Sequence, residues 1–283
     1  MKQITQNLRT GETSIVDVPR PAAREGTALV EVMASLVSAG TERMLVDFAE
    51  KSLVGKARSR PDLVKQMVDK ARREGLLTSL EATLNRLDQP IPLGYSTAGQ
   101  IIALGTGMEG FQIGQRVACA GGGYAVHAEY NVIPRNLLTV LPDNVDYESA
   151  AFTTLGAIAL HGFHLAQPVI GEFIAVIGLG LLGLLTVAIA NSAGCQVIGI
   201  DIDPVRVKLA TQMGAKLAML RDEAEAAARS FTRGRGCDAV LICADTSTDD
   251  PVKLAGVIAR DRSHVVAIGA VGQQLPRKIY YEK

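Results

Sequence analysis

A glycine-rich segment that follows an apolar run is the part of this sequence whose residue types and spacing most clearly indicate chemistry. The run at 173–177 is largely β-branched and leads directly into a G-x-G-x-x-G pattern formed by Gly178, Gly180 and Gly183. In a nucleotide-binding turn the first glycine permits a tight bend, the second lets a pyrophosphate approach the backbone, and the third lets the following helix pack against the strand. The free N–H groups at the start of that helix then face the phosphates. The segment therefore predicts a dinucleotide-binding turn.

An acidic residue after the next apolar run completes this pattern. Asp201 follows residues 196–200 and lies 18 residues after Gly183, close to the spacing of about 20 expected for the acid that accepts the ribose hydroxyls. A carboxylate at this position repels a 2′-phosphate and favours NAD as the cofactor, whereas Arg206 could pair with such a phosphate. The predicted coenzyme-binding residues are Gly178, Leu179, Gly180, Leu181, Leu182, Gly183, Asp201, Ile202, Arg206, Ala244 and Gly269.

Two other interpretations of this segment are less well supported. A G-x-G-x-x-G pattern alone is often only a glycine-rich turn, but here a strand precedes it and a helix and an acid follow it. Residues 173–200 carry no charged side chain and are long enough to cross a membrane. Three glycines at the point where a strand must turn into a helix favour the nucleotide-binding interpretation, with no membrane partner.

Length and composition favour an enzyme of about two domains. The chain has 283 residues, 48% of them hydrophobic, and 29 basic residues balance 29 acidic ones. The zero net charge gives no reason to expect a nucleic-acid partner. The first residues contain no apolar signal segment, and the four cysteines form no C-x-x-C pair. These features favour a reducing, cytoplasmic location.

The elements that must position these residues fall into two predicted domains of an α/β protein. Residues 1–145 read as mostly β, with strands at 28–34, 97–105 and 111–118 separated by glycine-rich turns. The segment 44–89 is charged and has helical periodicity, which predicts helices inserted into this domain. They are either a half-solvated hairpin on the sheet or a lid over the substrate.

The pattern changes to alternating helix and strand in residues 146–283. Helices are predicted at 148–166, 205–214 and 252–259, and further strands at 238–243 and 264–269. Apolar strands that alternate with helices predict a parallel sheet covered on both faces, the doubly wound Rossmann arrangement.

Residues 92–99 read P-L-G-Y-S-T-A-G, and residues 114–117 read G-Q-R-V. With the domain order, these segments resemble the L-G-H-E-x-x-G and G-D-R-V motifs of the medium-chain dehydrogenase/reductase superfamily, which contains the zinc-type alcohol dehydrogenases. The resemblance implies a GroES-like substrate domain followed by the Rossmann domain. It also implies hydride transfer between NAD(H) and a small-molecule alcohol or carbonyl substrate, including sugar derivatives. Two alternatives stay open: an NADPH-dependent quinone or enoyl reductase, and a non-catalytic dinucleotide-binding domain of a larger protein.

The zinc ligands of that family are missing at the matching positions. Ala39, or Ser38 if one gap is allowed, stands in place of the cysteine of C-G-T-D, and Tyr95 replaces the histidine of G-H-E. We therefore expect no metal, and a side chain must polarise the substrate oxygen. The resemblance gives three catalytic candidates, each with a structural alternative: Tyr95 as a wall residue, Thr41 as a turn hydroxyl and Glu42 as a buried hydrogen-bond anchor.

Short strings narrow the resemblance to one branch. Residues 35–43, 93–96, 117–123 and 127–129 resemble the zinc-free front half of bacterial two-part oxidoreductases. The chain ends 14 residues after Gly269, whereas a complete member is expected to have roughly 350 residues. We therefore expect a fragment or the front of a longer polypeptide, with a homo-oligomer and a C-terminal fused oxidoreductase domain as candidate partners.

Overall fold

The computed structural model describes residues 1–8, 10–43 and 89–282. The chain divides into two compact units, Met1–Thr154 and Leu155–Lys283, whereas the sequence placed the boundary between residues 145 and 146. The helices predicted at 44–89 lie outside the described residues, apart from Gln89 at their end.

The first unit is built from antiparallel sheets. One sheet has the strand order β7-β3-β5-β6-β8, and a smaller sheet has the order β2-β1-β4. The strands predicted at 28–34 and 97–105 are confirmed, but the one predicted at 111–118 begins only at Arg116, because residues 111–115 form a turn with Gly114 at φ +90°. The strands are β1 Lys2–Gln6, β2 Thr13–Asp17, β3 Thr27–Ser35, β4 Ile91–Pro92, β5 Ser96–Leu104, β6 Arg116–Ala120, β7 Tyr130–Pro134 and β8 Leu138–Val140.

Alternating side chains of the larger sheet supply the core of the first unit. Val30, Ile101 and Val117 are fully buried in one apolar cluster. A second cluster contains Ala98 of β5 and Ala150 of helix α1 (Tyr147–Ala150). The contact between this helix and the sheet fixes the end of β5 that follows Tyr95.

The second unit is a parallel sheet flanked by helices. Its strand order is β11-β10-β9-β12-β13, so the chain starts in the middle, runs to one edge and then returns to fill the other side. Ligands of such sheets bind at the carboxyl ends of the strands where this reversal occurs, here between β9 and β12. The elements are α2 Thr153–Leu165, β9 Phe173–Ile177, α3 Leu181–Ser192, β10 Gln196–Asp201, α4 Pro204–Gln212, β11 Leu217–Leu220, α5 Ala224–Phe231, β12 Cys237–Ile242, α6 Asp250–Ile258, β13 Ala259–Ala267 and α7 Arg277–Glu282.

Several predicted elements differ from the structure. The helix predicted at 148–166 is two helices, α1 and α2, because the Ser96 hydroxyl donates to the Ala151 carbonyl at 2.6 Å and the chain does not continue as one helix there. β13 begins at Ala259, five residues before the predicted start. The prediction missed its first half because charged residues there hide the apolar pattern of a strand. β11 and α5 were not predicted.

The charge-free stretch 173–200 forms a strand, a helix and a second strand rather than one long helix. Among the described residues, no helix combines the length and apolar character needed to cross a membrane.

A buried carboxylate joins the amino-terminal ends of three strands of the parallel sheet. Asp238 has a side chain that is 3% exposed. Its Oδ2 accepts a hydrogen bond from the Phe173 N–H at 2.8 Å, and its Oδ1 accepts one from Arg260 Nε at 2.6 Å. Because Phe173 starts β9 and Arg260 lies near the start of β13, this one side chain connects β12 to both of its neighbours.

All four cysteines are buried free thiols. Burial raises the pKa of Cys119 to about 12 and that of Cys243 to about 11. Both side chains are therefore neutral near pH 7 and pack as small apolar groups.

Candidate functional site

The glycine turn after β9 has the geometry that its sequence predicts. Gly178 lies at φ +90°, and a Cβ there would be 2.5 Å from the Ala244 nitrogen. A Cβ on Gly183 would be 1.9 Å from the Gly178 carbonyl oxygen. Both positions therefore need glycine for the fold itself, one for its backbone conformation and its neighbour and the other for close packing of α3.

Gly180 differs from the other two glycines of the turn. A Cβ on Gly180 would have no described atom within 4 Å, so the space in front of this residue is open. Gly180 is the residue before α3, and it has no side chain that could accept hydrogen bonds from the first N–H groups of that helix. The N–H groups of the first turn of a helix have no acceptor within the helix, and together with the helix dipole they favour an anion in the open space.

Asp201 is fixed by three backbone N–H groups at the carboxyl end of β10. Its Oδ2 accepts from Leu179 at 2.5 Å, and its Oδ1 accepts from Ile202 at 2.7 Å and from Asp203 at 2.9 Å. The residue is 5% exposed. The carboxylate thus holds the glycine turn directly, which links the two halves of the predicted coenzyme motif.

Arg206 lies beside two acids. Its Nη1 is 3.9 Å from Asp201 Oδ2, and its Nε is 3.6 Å from Asp203 Oδ2. Asp203 also caps α4 by accepting from the Val205 N–H at 2.8 Å. The side chain of Arg206 is 51% exposed, so its charge is only partly engaged by these carboxylates.

The structure brings the remaining predicted coenzyme residues to the same edge of the sheet. Ala244 follows β12 and touches Gly178, and a Cβ on Gly269 would lie 2.1 Å from the Ala244 carbonyl oxygen. Ile202 follows β10 and is 82% exposed. These residues and the glycine turn therefore surround the point where the strand order reverses, the expected position of a dinucleotide site.

In the first unit, Glu42 makes the contacts of a buried anchor. Residues 39–43 are helical, and Glu42 Oε1 accepts from the Ser38 N–H at 3.0 Å. The Ser38 hydroxyl donates to Thr41 Oγ1 at 3.3 Å. Ser38, the residue before the helix, donates both of these bonds and so holds its first turn. Two of the predicted catalytic residues, Thr41 and Glu42, thus lie in one hydrogen-bonded turn.

A histidine outside the three catalytic candidates connects to this turn. His127 Nε2 lies 3.1 Å from Glu42 Oε1, and His127 Nδ1 lies 3.0 Å from Ser35 Oγ. The ring is 4% exposed and packs on Gly94, where a Cβ would come within 2.9 Å of it. A neutral ring that donates from Nε2 to the Glu42 carboxylate would accept from the Ser35 hydroxyl at Nδ1. Ser35, His127 and Glu42 therefore form a continuous hydrogen-bonded chain.

Tyr95, the third catalytic candidate, stands apart from this chain. It is half-buried, and its carbonyl oxygen accepts from the Gly121 N–H at 2.9 Å. No hydrogen bond joins its phenol to Glu42 or His127 among the bonds of the described residues. Among the described residues, Tyr95 connects to this hydrogen-bonded chain through Gly94, the preceding residue, on which the His127 ring packs.

The residues at the family's zinc positions do not fit that metal. Ala39 and Tyr95 offer no thiolate, imidazole or carboxylate. The described cysteine of the first unit, Cys119, is buried, and its pKa is raised to about 12. Within residues 1–8, 10–43 and 89–282, no group of three or more His, Cys, Asp or Glu side chains could hold a metal ion.

Comparison with known protein families identifies the fold. The family described as "Zinc-binding dehydrogenase" matches residues 182–281, and the family described as "Alcohol dehydrogenase GroES-like domain" matches residues 68–143. The chain belongs to the medium-chain dehydrogenase/reductase superfamily. The predicted superfamily and its two-part fold, a GroES-like β domain followed by a Rossmann domain, are thereby confirmed.

Individual relatives within the superfamily are distant. Sorbitol dehydrogenase of Bacillus subtilis is 27% identical over 182 residues, which cover 54% of this chain and 52% of the relative. The chain spans about half the length of the first curated relatives it matches.

Two solved structures show the same fold. Galactitol-1-phosphate dehydrogenase of Escherichia coli has a TM-score of 0.76 at 22% identity, covering 100% of this chain and 80% of the other. A zinc-binding dehydrogenase of Sinorhizobium meliloti, whose structure is bound to NADP, has a TM-score of 0.73 at 21% identity, covering 97% of this chain and 78% of the other.

Proposed function

We propose that this chain is a zinc-independent oxidoreductase that transfers a hydride between NAD(H) and an alcohol or carbonyl group, with sugar alcohols as the leading substrate class. The observation that carries the proposal is the turn of Gly178, Gly180 and Gly183, which leaves an open space at the start of α3 and is joined to the Asp201 carboxylate. The substrate class is supported by the sorbitol and galactitol 1-phosphate dehydrogenases among its sequence relatives.

Some residues of this chain would bind the coenzyme, and others would move the substrate proton. The coenzyme, when bound, supplies the carbon that accepts or donates the hydride. The N–H groups at the start of α3 would bind its pyrophosphate, and Asp201 would accept the ribose hydroxyls. Tyr95, Thr41 and Glu42 are the candidates for binding the substrate oxygen and moving its proton.

A second candidate function is supported by one observation. Glu42 already accepts hydrogen bonds from Ser38 and His127, as expected for a purely structural anchor. A dinucleotide-binding domain without catalysis would keep these contacts and the coenzyme turn. Turnover is therefore the measurement that separates the two functions.

The test is turnover by metal-depleted protein. After dialysis against a chelator, the protein should contain far less than one zinc per chain and should still form reduced coenzyme when it is given NAD and a panel of polyols and secondary alcohols. Coenzyme binding without turnover of any alcohol or carbonyl compound would favour the non-catalytic function. Activity that disappears when the chelator removes bound zinc, and returns when zinc is added back, would contradict zinc independence.

The preference for NAD should depend on Asp201. Replacing Asp201 with serine should weaken NADH binding by about 10-fold or more and narrow the difference between NADH and NADPH, because the carboxylate that accepts the ribose hydroxyls and repels a 2′-phosphate is removed. Titration of both coenzymes by calorimetry measures this effect.

Asp203→Ser is the matched control for this change. It removes a neighbouring charge, and serine can still cap α4. The control should keep the preference for NADH. Tighter binding of NADPH than NADH by the unmodified protein would contradict the assignment, and Arg206 would then be the residue that binds the 2′-phosphate.

A further inference from the structure

We propose that Glu42 is the general base of the reaction and that His127 is the positioning residue that holds its carboxylate. The inference rests on the proposed function and goes beyond it, because it selects one of three candidate groups and gives a role to a residue outside those three. It is carried by the different environments of the two carboxylate oxygens of Glu42.

Within the part of the chain that the structure describes, only one of the two oxygens of Glu42 accepts hydrogen bonds. Oε1 accepts from the Ser38 N–H at 3.0 Å and lies 3.1 Å from His127 Nε2. Among the described residues, none donates a hydrogen bond to Oε2. The side chain is 13% exposed. Glu42 is therefore held through one oxygen and presents the other as an acceptor in a largely buried setting, the arrangement that a general base needs.

The His127 ring is itself held on three sides. Ser35 bonds to Nδ1, Glu42 bonds to Nε2, and the face of the ring lies against Gly94. Gly94 has φ +93°, and any Cβ there would displace the ring. A ring fixed in this way donates from Nε2 in one direction only, and this fixes the orientation of the carboxylate. A base oriented by a second group is the usual arrangement of catalytic hydrogen-bond chains.

Charged groups near Ser35 and His127 come from other parts of the first unit. Ser35 and His127 line an open groove of about 330 Å³ together with Lys2 and Glu129. Glu129 Oε2 accepts from the backbone N–H of Lys2 at 2.7 Å. This carboxylate therefore has a partner that does not belong to the Ser35–His127–Glu42 hydrogen bonds. It offers a matched acid of the first unit for comparison with Glu42.

The chemical step is balanced by the coenzyme of the proposed function. In alcohol oxidation the O–H bond of the substrate would break and its proton would bond to Glu42 Oε2, while bound oxidised coenzyme would accept the C–H electron pair as hydride. In carbonyl reduction the same proton returns to the oxygen. His127 keeps its Nε2 proton throughout and donates to Oε1 in both protonation states of Glu42.

The first test is Glu42→Gln, which removes the base and keeps the shape. The amide oxygen of glutamine can still accept from Ser38 and His127, so the protein should fold and bind NADH with unchanged affinity. The kcat should fall by about 100-fold or more, in the range found for loss of general acid–base catalysis. Glu129→Gln is the matched control and should leave kcat within about twofold of the unmodified protein.

The positioning role is tested by a pair of His127 variants. His127→Phe removes both polar contacts and should lower kcat by about 10-fold or more with little change in coenzyme affinity. His127→Gln restores a donor toward Glu42 and should recover most of that loss. Nitrogen-15 NMR of the unmodified protein should show a proton on His127 Nε2 and none on Nδ1.

The outcomes separate this inference from the proposed function. If the unmodified protein turns over alcohols and Glu42→Gln retains more than about a third of kcat, Glu42 is not the base, whereas the oxidoreductase function stands. Equal losses in His127→Phe and His127→Gln, or a proton on Nδ1, overturn the positioning role. Binding of NADH without any turnover by the unmodified protein overturns the proposed function and this inference with it.

Discussion

Valine in place of Gly180 should abolish measurable coenzyme binding and leave the second unit folded. Gly180 has open space where a Cβ would stand and an ordinary negative φ, −67°, so valine fits the free protein. The same side chain would occupy the position that the pyrophosphate must reach at the start of α3. We expect NADH affinity to fall by about 100-fold or more, which corresponds to about 2.7 kcal/mol, as measured by fluorescence titration.

Two other glycines provide the comparison. Gly183→Ala places a Cβ 1.9 Å from the Gly178 carbonyl oxygen, so folding and binding should be lost together. Gly156→Val in α2 also fills open space and should change neither. Wild-type affinity in folded Gly180→Val would show that the coenzyme does not bind at this turn.

Replacing Asp238 with alanine should cause a large loss of stability in the second unit. It leaves the Phe173 N–H and the Arg260 guanidinium without their buried acceptor. Removal of one partner of a buried pair typically costs 3–5 kcal/mol. Since Arg260 is 34% exposed, water will satisfy part of it, and we expect about 3 kcal/mol. Hydrogen exchange of residues 173–177 and 237–242 reports the loss within this unit.

Asp250→Ala is the matched control, because it breaks an ion pair with better geometry but greater exposure. Arg221 donates to both oxygens of Asp250 at 2.7 Å and holds the pKa of this carboxyl below its usual range. The Asp250 side chain is 51% exposed, and exposed pairs contribute about 1 kcal/mol or less. A loss at Asp238 no larger than that at Asp250 would contradict the role assigned to burial.

The second unit was largely predictable from sequence because local patterns determine it. The apolar run at 173–177 and the glycines after it predict β9 and α3, and the structure places both where expected. β13 was predicted too short because Arg260, Asp261 and Arg262 open it, and charge there indicates a turn more often than an edge strand. The hydrophobic pattern of a short segment does not indicate whether its strand will lie at the edge of a sheet.

The candidate site was predictable only where its parts share a motif. Asp201 and the glycine turn are linked by a recognisable spacing, and the hydrogen bond from Leu179 to Asp201 confirms that they lie together. Glu42 and His127 are 85 residues apart, and they meet only because the strands that precede and follow them belong to one antiparallel sheet. No spacing rule connects such a pair, so the contact between Glu42 and His127 emerged from the structure alone.

The buried cysteines allow the opening of each unit to be measured separately. Cys119 lies in the first unit, and Cys195, Cys237 and Cys243 lie in the second, and all four are buried. A thiol reagent can therefore modify each unit only during a transient opening, and its rate measures how often that opening occurs. Bound coenzyme should slow modification of the second group of thiols and leave Cys119 as an internal reference, so one peptide map would report ligand occupancy and unfolding separately.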